Sequence, residues 1–422
     1  MVKWLPIEIT PWILALTILA LSTINQFDPF SNNYFIFLIE MSLSIFVLMR
    51  YELEWPASVK ICLLVLIWFS SVAFSTLLAH FQPHSTATWA RVAEEGMHVF
   101  FGWNVWRLIR LNQRSWVSVI AFSWVLGAFI ALVSIIYRWN ILSNPRGVGV
   151  DWTSNLPLFA NLCHMGYLIS VAVIAQFFIF LRAQKNSSIW ASLLSLILLN
   201  AFLMWIGRRA TLLSTSIALL TMAFFMGRPT LKRSLWLLMS LPISLLLCEY
   251  FAVGNLGLFG TFHRTLAGVA EGVDQLSSGR WHIWLNAWRH VLVQPWFGYG
   301  AEGYIGIRSG DAISGGILHP HNVFIQCLVE WGFVGTLIFI ALFYQWLKPL
   351  VQRLRSQYRQ LNYQADVLLG SAVAGNLLLV SLSEGIFYHG THTAFLALSI
   401  GLALGAQLNQ TDSRLSASVR SL

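Results

Sequence analysis

Charge is what this 422-residue chain has least of: 10% of its residues are Asp, Glu, Lys or Arg, against 57% that are hydrophobic. A soluble domain carries roughly 25% charged residues, so this composition excludes an ordinary water-exposed globule. Cysteine is nearly as scarce. Cys62, Cys163, Cys248 and Cys327 all lie in or at the edge of apolar runs, with no Cys-x-x-Cys or Cys/His ligand spacing, which predicts neither a disulfide nor a metal site. Acidic residues are outnumbered, 17 to 26, for a net charge of +9. In so apolar a chain that surplus reports membrane topology first, and no nucleic-acid partner is expected. Repeats, low-complexity tracts and linkers are absent too, so residues 1–422 read as one transmembrane domain.

What the chain has in quantity is apolar length. At roughly 20 residues per crossing, the runs at about 11–25, 34–49, 61–80, 92–109, 116–137, 157–181, 188–206, 211–226, 235–253, 322–347, 365–387 and 392–408 predict an all-α polytopic membrane protein of about 12 transmembrane helices. Met1-Val2-Lys3 leads into the first run with no small-residue cleavage site, so that run is read as an uncleaved span. The fourth run is interrupted by Glu94, Glu95, His98 and Asn104. Such groups are costly in lipid, so this segment is expected to line a cavity or to lie partly at the interface. Lys and Arg accumulate on the cytoplasmic side. With the N-terminus inside, seventeen of the 26 basic residues fall inside, every lysine included, and nine fall outside, all of them arginine. Both termini are therefore expected in the cytoplasm. An outer face whose strong cations are all arginines suits phosphate, because the planar guanidinium grips an oxyanion through two parallel hydrogen bonds.

The outer connections are short except those at about 138–156 and 254–321. A connection of the second length contains its own elements and is the natural seat of function. Inside it, Ser277-Ser278-Gly279 caps a helix expected from about Arg280 to Val293, ended by Gln294-Pro295. Trp281, Trp284, Trp288 and Val291 or Leu292 form an apolar stripe, with His282, Asn286, Arg289 and His290 opposite, the pattern of a helix lying along the membrane interface. Arg280 sits in the first turn, where exposed N–H groups and the helix dipole add to its attraction for an anion. Gly207-Arg208-Arg209-Ala210 puts two more arginines into an outer hairpin, where they hold an anion or, alternatively, snorkel to lipid headgroups. His319-Pro320-His321-Asn322 precedes the tenth span. A histidine at the membrane–water boundary accepts a proton near neutral pH, as activation of a sugar hydroxyl requires. Glu384, His389 and His392 around the last outer turn are a poor metal signature and read as supporting groups.

Ser278-Gly279-Arg280, then Trp281 and Trp288, then Pro295-Trp296-Phe297-Gly298-Tyr299-Gly300, then His321-Asn322 with Gln326, Glu330, Gly332 and Gly335, together resemble the signature of the O-antigen ligase and polymerase superfamily. The likeness is specific over about 277–335. Elsewhere only the span count, the large outer loop between the ninth and tenth spans and the Arg209-Ala210 hairpin share it. The resemblance implies a metal-independent, cofactor-free, inverting glycosyltransferase of the bacterial inner membrane, its active site facing the periplasm. It implies an undecaprenyl-diphosphate-linked glycan donor and, for a ligase, a lipid A–core oligosaccharide acceptor in lipopolysaccharide biosynthesis. Arg209 and Arg280 would bind the diphosphate and His321 would be the base. Arg208, Arg264, Arg289, His319 and Asn322 are the further candidate substrate contacts. Relatives often have Ser-Arg-Gly where this chain has Arg208-Arg209-Ala210, so the choice between Arg208 and Arg209 stays open. The polymerase and the protein O-oligosaccharyltransferase of the same superfamily are alternatives. A secondary transporter or flippase, from another class, would show paired halves with helices broken at mid-depth, and no halves match here.

Overall fold

A computed structural model describes residues 10–419 apart from 24–28, 52–58, 83–84, 113, 143–144, 146–151, 153–155, 160, 227, 255, 309–317 and 357–360. Sixteen α-helices follow in chain order: α1 (Thr10–Thr23), α2 (Pro29–Arg50), α3 (Val59–Ala79), α4 (Trp89–Asn112), α5 (Arg114–Ile141), α6 (Leu162–Arg182), α7 (Asn186–Ile206), α8 (Arg209–Met226), α9 (Arg228–Tyr250), α10 (Gly257–Glu271), α11 (Val273–Leu276), α12 (Arg280–Val293), α13 (Gly303–Arg308), α14 (Val323–Ser356), α15 (Leu361–Ser381) and α16 (Gly390–Val419). Each apolar run expected to span coincides with one of them. Six, namely α2, α3, α5, α6, α7 and α14, are long and apolar enough to cross a membrane, and α1, α8, α9, α15 and α16 are shorter apolar helices. No strand occurs among the described residues. The chain is an all-α polytopic membrane protein, as lipid demands of a backbone whose polar groups must bond internally. Most of the expected connection at 138–156 lies outside the described residues.

The bundle is organised around α6, which α5, α7, α8 and α15 enclose. Its sequence is apolar on every side, which fits a helix with no exposed face. Its few polar groups are bonded to neighbours: Ser170 Oγ accepts from Asn376 Nδ2 of α15 at 2.9 Å, and Gln176 Nε2 donates to the Ser192 carbonyl of α7 at 3.2 Å. Arg91, Glu94, Glu95 and His98 of α4 face the bundle interior and are buried, where they meet one another and Glu40 of α2. Arg91 Nη1 meets Glu94 at 2.7 Å and His98 Nδ1 meets Glu40 at 2.8 Å.

The long connection between α9 and α14 folds into α10–α13, and a break in α14 anchors it. Gly332 leaves the helix with φ 65° and ψ −170°, a conformation open to glycine alone. The backbone groups freed there bond the Pro295–Gly300 segment: Phe333 N–H donates to the Pro295 carbonyl at 2.7 Å, Tyr299 N–H to Val329 at 2.8 Å and Gly300 N–H to Glu330 at 2.9 Å. A Cβ on Gly332 or Gly298 would overlap the opposite backbone. Beside the tryptophan stripe, α12 has a second apolar face that packs on the protein. Its buried face is Ile283, Ala287 and Val291, packed with Tyr304 and Val329, while Trp281, Trp288 and Leu292 stay exposed. The groove beside α14 takes the shorter side chains at four-residue spacing, with Trp284 partly buried against them.

Candidate functional site

At one end of the bundle the α7–α8 hairpin, α10–α12 and the α15–α16 turn line a cavity of about 300 Å³. It is lined by four arginines, Arg208, Arg209, Arg264 and Arg280, against two carboxylates, Glu271 and Glu384. The hairpin is held from the α10 side. The Gly207 carbonyl accepts from Thr261 Oγ1 at 3.0 Å and from Arg264 Nη2 at 2.9 Å. Arg209 Nη2 donates to the Leu276 carbonyl and to Ser278 Oγ, both at 2.9 Å. Crowding has an electrostatic consequence: burial first, then repulsion by Arg208 and Arg209, lowers the pKa of Arg264. Clustered like charges of this kind are stable only with an anion nearby.

Arg280 reaches the cavity because the turn before α12 is tightly built. Ser278 and Gly279 take left-handed conformations, φ 59° and 78°, and the Trp281 N–H donates to Ser277 Oγ at 3.1 Å, the cap expected of that serine pair. Arg280 Nη2 then bonds Glu384 Oε1 at 2.7 Å. The other oxygen of Glu384 lies 3.6 Å from His321 Nδ1. Burial acts to raise the Glu384 pKa, but the His321 contact and the charges of Arg280 and Arg208 outweigh it and pull the carboxyl down to about 2. It is therefore an anion at any physiological pH.

His321 is placed by a strained turn, with φ 54°, unusual for a residue with a side chain. Four hydrogen bonds hold it. His319 Nδ1 accepts the His321 N–H at 3.3 Å, Trp284 Nε1 donates to the Pro320 carbonyl at 2.8 Å, and Asn322 Oδ1 caps α14 by accepting from Phe324 and Ile325 at 3.0 and 3.1 Å. Asn322 Nδ2 also donates to the Leu382 carbonyl at 2.9 Å, tying α14 to the turn that carries Glu384. His319 is buried, which lowers its pKa together with the charge of His321, and its accepting Nδ1 makes it the neutral tautomer protonated on Nε2. Its ring packs on Gly385, where a Cβ would overlap it.

Of the residues expected at the site, the structure brings together Arg208, Arg209, Arg264 and Arg280 around the cavity, with His321 beside them through Glu384, and His319 and Asn322 shaping the His321 turn. Arg289 is exposed and lies outside the lining. Glu384, expected as a supporting group, meets both Arg280 and His321. The sequence signal for it was its place in the last outer turn. His389 and His392 stand beside buried His164, ring centroids 4.1 and 5.0 Å away.

Residues 193–340 match a sequence model described as O-antigen ligase. Proteins of Rickettsia felis and Rickettsia conorii, both named "Putative polysaccharide ligase", are 29% and 28% identical over 96 and 92 residues, which is 21% and 20% of this chain and 23% and 22% of theirs. The chain thus spans less than a quarter of the length of these relatives. The resemblance to the O-antigen ligase superfamily read in 277–335 therefore holds over a wider region, from within α7 to within α14. That region contains all four cavity arginines and His321, while Glu384 lies beyond it.

Proposed function

We propose that the chain is an O-antigen ligase: it transfers a preassembled polysaccharide from undecaprenyl diphosphate to a sugar of the lipid A–core oligosaccharide, at the periplasmic face of the bacterial inner membrane. The observation that carries this reading is the contact series Arg280–Glu384–His321 at the edge of an arginine-lined cavity. With Nδ1 turned to Glu384, His321 has Nε2 free to take the proton of an acceptor hydroxyl, and the carboxylate stabilises the imidazolium that forms. The acceptor oxygen attacks the anomeric carbon as the bond from that carbon to the diphosphate oxygen breaks. The leaving diphosphate keeps the electron pair. Arginines fixed around it stabilise that charge before it develops, an effect worth roughly 3–4 kcal/mol per preorganised donor. Glu384 serves both halves of the reaction, aiming Arg280 and orienting His321. The bilayer supports the encounter by holding polyprenyl and acyl chains at one depth.

Polymerase and protein O-oligosaccharyltransferase chemistry would use the same donor half, so the acceptor decides among them. The test offers purified protein and lipid-linked glycan with core lipid, a second lipid-linked glycan or a pilin-type protein. Modification of core lipid alone is expected, and transfer to either other acceptor alone overturns the ligase reading.

A further inference from the structure

The two hairpin arginines are adjacent in sequence but spent differently. Arg209 is committed: its Nη2 bonds the Leu276 carbonyl and Ser278 Oγ, the last residue of α11 and the left-handed residue two positions before Arg280. Arg264 is committed in the same way, to Gly207 and Thr261. Arg280 gives one nitrogen to Glu384. The Arg208 side chain forms no hydrogen bond or ion pair among the described residues, and its Nε is buried without a partner. Its stem lies near Gly166 of α6, and its charge is felt by Glu384. The unspent guanidinium therefore stands on the side of the cavity where Arg280, Glu384 and His321 meet. A buried donor left unbonded is costly and marks where a ligand's acceptor belongs. Four cavity arginines against two glutamates also leave two positive charges uncompensated, which matches a diphosphate.

We infer that Arg208 is the hairpin residue that grips the diphosphate, together with Arg280, and that Arg209 is a positioning residue that latches the hairpin to the 276–278 turn and so aims Arg280. This inference rests on the diphosphate-donor reading above and divides the labour within that site. The chemistry differs at the two positions. A phosphate clamp needs the planar fork, whereas two neutral oxygens on a turn are within the repertoire of an ammonium group.

The experiment compares Arg208→Ala, Arg208→Lys, Arg209→Ala and Arg209→Lys in detergent-purified full-length protein. It measures the Kd for undecaprenyl diphosphate, kcat and KM for transfer, and amide hydrogen exchange across 274–284. Arg208→Ala is expected to raise Kd and KM roughly 10- to 100-fold, as loss of charge-assisted bonds does, with exchange unchanged and little rescue by Lys. Arg209→Ala is expected to speed exchange at 276–281 and lower kcat more than it raises Kd, and Lys is expected to restore both. Loss of undecaprenyl diphosphate binding in Arg209→Ala with wild-type binding in Arg208→Ala overturns the inference and leaves the donor reading standing. Absence of binding by the wild-type protein overturns the donor reading itself.

Discussion

Around Arg91 on α4 and around Arg208 in the hairpin, the chain collects buried and half-buried charge in opposite ways. Arg91, Glu94, Glu95, His98 and Glu40 form a set in which each cation meets two carboxylates, Arg91 reaching both Glu94 and Glu95 and His98 reaching both Glu40 and Glu94. Arg91 also donates to the Phe387 carbonyl, so the set clamps the turn beyond Glu384. Around the cavity the cations exceed the carboxylates and one arginine is left unspent. The first arrangement spends each cation on carboxylates of the chain, and the second leaves the Arg208 side chain without a hydrogen bond or ion pair among the described residues. The two sets differ in sign: carboxylates outnumber cations around Arg91, and arginines outnumber carboxylates around the cavity.

The comparison breaks most visibly through stability. Arg91→Ala strands buried carboxylates and should cost about 3–5 kcal/mol, seen as loss of monodisperse protein or a large fall in Tm, whereas Arg208→Ala should leave Tm nearly unchanged. Equal effects on Tm would erase the distinction. Arg280→Lys comes next: a point charge cannot reproduce the fork that meets Glu384 and phosphate, so transfer should fall by about 10²-fold or more, measured with lipid-linked glycan. The Glu384 carboxylate supplies a pH signature. Its folded pKa of about 2 is below the ordinary 4.5, so its contribution is present above pH 4.5 and is lost as pH falls from 4.5 toward 2. At 1.36 kcal/mol per unit this is about 3 kcal/mol, and the Tm gap between wild type and Glu384→Gln should close across that window. A gap that stays constant would contradict the assigned ionisation. Gly385→Ala should displace the His319 ring and lower kcat more than it raises donor Kd. Smallest is Trp284→Phe, which removes one bond to Pro320 and should lower Tm slightly, by about 1 kcal/mol of stability.

Much of the fold was legible in the sequence because hydropathy and helix length are local properties. The twelve apolar runs became helices, and the bounds of α12 followed from Ser277 at one end and Gln294-Pro295 at the other. The partners of the α4 groups were not legible, because hydropathy counts charges without knowing that Glu40, 58 residues from His98, pairs with it. The same limit applies to Glu384. Its bond to Arg280 joins positions 104 apart, and no periodicity reports such a pairing. The groove beside α14 that Ile283, Ala287 and Val291 fill is a three-dimensional feature that the tryptophan stripe of α12 does not report. The open choice between Arg208 and Arg209 is likewise a question of which acceptor each fork reaches.

The account turns on His321 as the proposed base, joined to the arginine-lined cavity through Glu384. Single-turnover transfer from undecaprenyl-diphosphate-linked glycan to core lipid by His321→Ala protein, with donor Kd measured on the same sample, tests this directly. The predicted result is a rate reduced by about 10²–10⁴-fold with donor affinity retained, and transfer at the wild-type rate would contradict it.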